Sequence, residues 1–76
     1  NAVGTVTLTA NAGSTTVTGQ NIGEDSEVVM LPKTANAAAA LATTYIPRAT
    51  IVRGSFVITH ANNAQTDKTF SWMAFG

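Results

Sequence analysis

The chain has 76 residues, no cysteine, one histidine, and four basic residues balanced against four acidic ones, for zero net formal charge at pH 7. A chain this short forms at most one domain and buries only roughly 60% of its unfolded surface. Without cysteines or a Cys/His cluster, neither a disulfide nor a structural zinc is available to reinforce so thin a core, which leaves oligomerisation as the remaining support. No basic patch exists to neutralise phosphates, so nucleic acid is not an expected partner. The longest apolar runs, Val28 to Leu31 and Ala37 to Ala42, fall far short of the ~20 residues that span a bilayer, so no membrane insertion is expected. The chain begins at Asn1 and carries no cationic segment followed by an apolar one, which reads as a piece of a longer protein.

From Gly4 to Ala10, Thr5, Thr7 and Thr9 alternate with Val6, Leu8 and Ala10, the two-residue period of a half-buried strand. Asn11-Ala12-Gly13 supplies a turn, and the Thr/Val alternation resumes over Ser14 to Thr18, so the two runs are predicted to pair as a hairpin. Gly19 to Glu27 has two glycines, three acids and a single apolar residue, Ile22, and reads as a surface loop. Val28-Val29-Met30-Leu31 is apolar at four consecutive positions, which predicts a strand covered on both faces, either central or against a partner subunit, and ended by Pro32.

Thr34 is positioned to cap a short helix over Ala35 to Thr43, with Ala37, Ala38 and Leu41 on its docking face. At about nine residues it is too short to stand alone. An extended Ala-rich connector is the alternative. Tyr45-Ile46-Pro47 suggests an edge strand, because proline cannot donate to a ladder. Ile51 to His60 reads as a strand with Val52, Phe56 and Ile58 inward. Ala61 to Asp67 reads as a connecting loop, and Lys68 to Phe75 as a last strand with aromatic residues on both faces. The expected fold is therefore all-β, one domain over residues 1–76: a small antiparallel β-sandwich or barrel-like module of about five to six strands with one short Ala-rich helix.

Few residues suggest chemistry. Ser55 or Ser71 with His60 and Asp67 can be written as a triad, but there is no nucleophile-elbow motif, and the strand register puts His60 beside Ile58, as a core or rim histidine. Glu24, Asp25, Glu27 and Asp67 lack calcium-loop spacing and read as solvated acids. No phosphate-binding glycine loop appears, so no catalytic residue, metal or cofactor is expected. Asn62, Asn63 and Gln65, at a loop tip, are candidates for hydrogen-bonding a glycan, against the commoner role of Asn in forming turns. Val29, Leu31, Met73 and Phe75 occupy the second faces of the third and last strands and are candidates for contacts between subunits, with a homotrimer sharing one core.

The segments Gly4-Thr-Val-Thr-Leu-Thr-Ala10, Ser14-Thr-Thr-Val-Thr18, Thr34-Ala-Asn-Ala-Ala-Ala-Ala-Leu41 and Gly54-Ser-Phe-Val-Ile-Thr-His-Ala-Asn-Asn63, with Thr69-Phe70 and Gly76, together resemble the C-terminal β module of bacteriophage virion structural proteins. The resemblance spans nearly the whole chain. It implies a non-enzymatic component of an extracellular phage particle, such as a tail fibre or tailspike end. The implied role is trimerisation and assembly with other virion proteins. Recognition of host surface glycan and capsid decoration, as by a head fibre, are the alternatives.

Overall fold

The computed structural model describes residues 2–76. In chain order it contains β1 (Ala2–Thr7), β2 (Ser14–Thr18), β3 (Glu27–Pro32), α1 (Ala35–Ala40), β4 (Ser55–Thr59) and β5 (Thr69–Phe75), with 3-10 turns at Leu41–Thr43 and Arg48–Thr50. The strands form two small antiparallel sheets, a three-stranded one in the order β1-β5-β3 and a two-stranded one, β2-β4. The chain is thus mostly β with one short helix, and among the described residues no sheet closes on itself.

Alternation decides which side chains meet. Phe70, Trp72 and Ala74 at even positions of β5, Phe56 and Ile58 at even positions of β4, and Val17 at an odd position of β2 are buried together with Leu8, Ile22, Ala37 and Ile51. Trp72 faces Gly4 across the β1/β5 ladder, and its ring meets Phe56 edge-on, with centroids 5.3 Å apart and planes at 75°. This geometry matches the aromatic quadrupole. Full burial of a side chain such as Phe56 contributes roughly 1.5–3 kcal/mol.

The predicted β1/β2 hairpin does not form, because β1 pairs with β5 and β2 with β4. Leu8 N–H still bonds the Lys68 carbonyl, after which the chain turns at Asn11 (φ 59°) into the other sheet. There the Asn11 N–H bonds the Asn63 carbonyl, and the Thr9 N–H is taken by Thr15 Oγ1. Alternation fixes which face is buried and says nothing of which strand lies alongside. For the same reason Ala61 to Asp67 joins strands of different sheets, with no hairpin between them.

Four further expectations change. β3 is an edge strand and not central: Val28 and Met30 turn inward, while Val29 and Leu31 are left exposed by the rest of the described chain. Thr34 caps α1 as expected, its Oγ1 accepting from Ala37 N–H at 3.1 Å, but the α-helix stops at Ala40. Only Ala37 is buried, and Ala38 and Leu41 are exposed, since the tighter 3-10 winding turns Leu41 away from the face of Ala37. Val52 is exposed because it bridges Ser55 around Gly54 (φ +88°), and β4 begins only after that turn. Ile22, lone in a polar loop, is 2% exposed and plugs the core. Tyr45 does lie at an edge, exchanging backbone bonds with Thr59 of β4 at 2.9 and 2.7 Å.

A Cβ at position 4 would lie 2.8 Å from three atoms of the Trp72 indole. Gly4→Ala is therefore expected to lower stability by about 1–3 kcal/mol, the range for overpacking, read as a lower urea midpoint at unchanged slope. An unchanged midpoint would mean the indole moves aside freely.

Candidate functional site

The inward turn of the even positions leaves the odd positions of β1, β5 and β3 on the outer face of the three-stranded sheet. Register aligns Val3, Met73 and Val29 in one row, with Thr5, Ser71 and Leu31 in the next and Phe75 beside Glu27 at the margin. Val3 is 77% exposed, Leu31 52%, Phe75 48% and Val29 43%, and Met73 is half-buried between them. An antiparallel sheet with one face in water ordinarily presents polar residues there. Here one end of the face is aliphatic and aromatic, and the other carries hydroxyls, Thr7 Oγ1 bonding Thr69 Oγ1 at 3.0 Å. The four residues singled out in the sequence for subunit contacts, Val29, Leu31, Met73 and Phe75, thus lie together on one surface, joined by Val3. Contiguous exposed apolar surface on a small domain marks an interaction site.

A second constellation sits where the two sheets meet. His60 is 5% exposed, with Nδ1 3.0 Å from the Ala61 carbonyl and Nε2 2.8 Å from Thr15 Oγ1. A carbonyl can only accept, so Nδ1 carries a proton and donates it. Lys68 is fully buried beside them, its Nζ reaching the same Ala61 carbonyl at 3.5 Å. His60 belongs to the chain leaving β4, Thr15 to β2, Thr9 to the corner after β1, and Lys68 to the start of β5, so this polar seam ties both sheets together. The burial of Lys68 was legible, because it lies two residues before Phe70 and hence on the same face. Ser26 gave no such signal; its buried hydroxyl accepts from Gly23 N–H at 2.9 Å and donates to the Gly76 carbonyl at 3.1 Å.

The remaining candidates are dispersed. The His60 ring bonds Thr15 and the Ala61 carbonyl and hydrogen-bonds neither Ser55 nor Ser71, and the Asp67 carboxylate accepts from Asn36 Nδ2 at 2.8 and 3.1 Å, so the triad's hydrogen bonds do not form. Among the described residues no group of three or more His, Cys, Asp or Glu side chains is placed to hold a metal ion. Asn62 and Gln65 are exposed on one loop, whereas Asn63 Oδ1 accepts from Gln65 N–H at 3.2 Å, the turn-forming use of asparagine. An open groove of about 250 Å³ runs between β3 and the Tyr45 segment, lined by Val28, Met30, Leu41, Thr44, Tyr45 and Ile46.

No family model, curated protein or solved structure matches the chain.

The seam predicts the outcome of Thr15→Val, which keeps shape but strands the Thr9 N–H and removes the hydroxyl from His60. Its expected cost is about 1–3 kcal/mol, the penalty for leaving a buried polar group unsatisfied, measured by chemical denaturation. A neutral result would show that water replaces the lost partner.

Proposed function

We propose that this chain is a non-enzymatic assembly module that self-associates as a homotrimer through the outer face of β1-β5-β3, within a virion appendage of a bacteriophage such as a tail fibre or tailspike end. One observation carries the self-association: Val3, Val29, Leu31, Met73 and Phe75 form a contiguous apolar surface that none of the other described residues covers. A 76-residue chain without disulfides has little other means of reinforcing its core. The virion setting rests on the resemblance of the Thr/Val strands and of the Thr34 to Leu41 and Gly54 to Asn63 segments to phage structural modules. In this reading the two sheets, sharing one core, act as a small open β-sandwich, and the seam histidine serves structure.

A second reading, recognition of host surface glycan, is favoured by the exposure of Asn62 and Gln65 on the loop between β4 and β5. The loop projects from ordered elements, where binding residues are usually carried. Capsid decoration would employ the same self-associating face at a different place on the particle.

Light scattering coupled to size exclusion is expected to give a species of three chains, with a melting temperature that rises with concentration, as linkage requires of an assembly. Val29→Glu and Met73→Glu, each placing a charge in the centre of the apolar row, are expected to yield folded monomers. A monomeric wild-type protein at all concentrations would overturn the proposal.

A further inference from the structure

The apolar face has two margins, the free edges of β1 and β3, and the ladder with β5 fixes which backbone groups each edge leaves unused. Leu8 N–H donates to the Lys68 carbonyl at 2.9 Å, and Lys33 N–H to the Thr69 carbonyl at 2.8 Å. Bonding directions alternate along an antiparallel strand. The even residues of β1 and the odd residues of β3 therefore bond β5, leaving Val3, Thr5 and Thr7 on one free edge and Val28, Met30 and Pro32 on the other. Both strands run antiparallel to β5 and so run parallel to each other.

The two edges differ in how they are protected. Edge strands of soluble domains are ordinarily blunted by charge, proline, bulges or a covering segment. β1 contains no proline, no Asp, Glu, Lys or Arg precedes Glu24 in the chain, and among the described residues Val3, Thr5 and Thr7 make no backbone bond outside the ladder. β3 is protected at its ends, and its middle faces an open groove with the Tyr45 segment on the far side. Pro32 has no N–H, and the Ser26 carbonyl, on the same edge by alternation, accepts from Arg48 Nη1 at 2.6 Å. Between them, Val28 and Met30 make no backbone bond outside the ladder among the described residues.

We propose that the β1 edge of one copy pairs in parallel with the β3 edge of the next, Thr5 opposite Val29, so that three copies join their sheets into one closed wall around the apolar face. This rests on the trimeric reading and specifies how its subunits join. In that register Thr5 N–H donates to the Val28 carbonyl, Thr7 N–H to the Met30 carbonyl, and the Val28 and Met30 N–H groups to the carbonyls of Val3 and Thr5. Each sheet is thereby offset by two residues from the Val3–Met73–Val29 row, and a closed, twisted sheet requires such a stagger. Three copies of a three-stranded sheet give nine strands. That is close to the ~8 strands whose interior side chains alone can fill, and Val3, Val29, Leu31, Met73 and Phe75 of each copy would supply that filling. The occupant of each edge is a second copy, because the complementary free strand, with the required direction, lies on the opposite margin of the same sheet.

The test is the double variant Thr5→Cys/Val29→Cys in the full chain, which has no other cysteine. Both positions are exposed on the outer face, and within one chain they stand two strands apart, at ~10 Å, too far for a disulfide. Mild oxidation is expected to shift the protein to covalent dimers and trimers and nothing larger on a non-reducing gel, with neither single variant forming trimers. In the unsubstituted protein, exchange of the Thr5 and Met30 amides is expected to slow as concentration rises. A light-scattering trimer whose double variant stays single-chain on the gel and whose Thr5 amide exchanges freely would overturn the edge pairing and leave face packing standing. Covalent dimers from Thr5→Cys alone would overturn it in favour of a two-fold β1 contact, and a monomer at every concentration would overturn both proposals.

Discussion

The indole of Trp72 can cover β1 because position 4 has no side chain, and a ring held there is where Phe56 of the other sheet meets it edge-on. Everything else in the core is arranged around that contact. Phe70 and Ala74 flank Trp72 on the same strand, Ile58 and Val17 extend the opposing surface, and Ile22 reaches in from an otherwise polar loop to close one side. Because β5 is the middle strand of the larger sheet, the same seven residues that supply this inward row also supply the outward one, Met73 and Phe75 included. One strand therefore couples the interior of the domain to the surface proposed to join its copies.

Packing alone would leave two small sheets free to slide, since dispersion and the hydrophobic effect are weakly directional. The polar seam supplies direction. Thr15 receives the Thr9 N–H while engaging His60, and the Ala61 carbonyl gathers both the His60 ring and the Lys68 amine. These partners come from four separate parts of the chain, so satisfying them fixes the corner after β1 relative to the exit of β4. Buried polar groups exact a cost when unpaired and specify one arrangement when paired. In a domain with so few buried apolar residues, that specification matters more than the strength of any single bond.

The apolar outer face takes on meaning from what lies around it. A lone Val or Leu on a surface needs no explanation, whereas five such residues in adjacent register rows form a patch whose exposure opposes solubility. Arg48 bonds carbonyls near the start of β3, Asp67 accepts from Asn36, and Glu24 and Asp25 lie in the exposed loop, while Glu27 stands at one margin of the face beside Phe75 and Lys33 at its hydroxyl end opposite Thr69. The centre of the face is uncharged, and the loop carrying Asn62 and Gln65 is polar and accessible.

Local chemistry in the sequence already determined much of this protein: the two-residue alternation that buries Phe56, Ile58, Phe70 and Trp72, the Thr34 cap with its alanine helix, the turn residues, and the outward placement of Val29, Leu31, Met73 and Phe75. Each of these depends on residues a few positions apart, so the pattern carries it. Tertiary structure alone decided that β1 lies beside β5 and not β2, that β3 is an edge, that Leu41 and Val52 face water, and that Thr15, His60 and Lys68 converge. Strand partners are chosen by which surfaces fit across long stretches of chain, as Gly4 fits Trp72, and alternation looks the same whichever neighbour a strand takes.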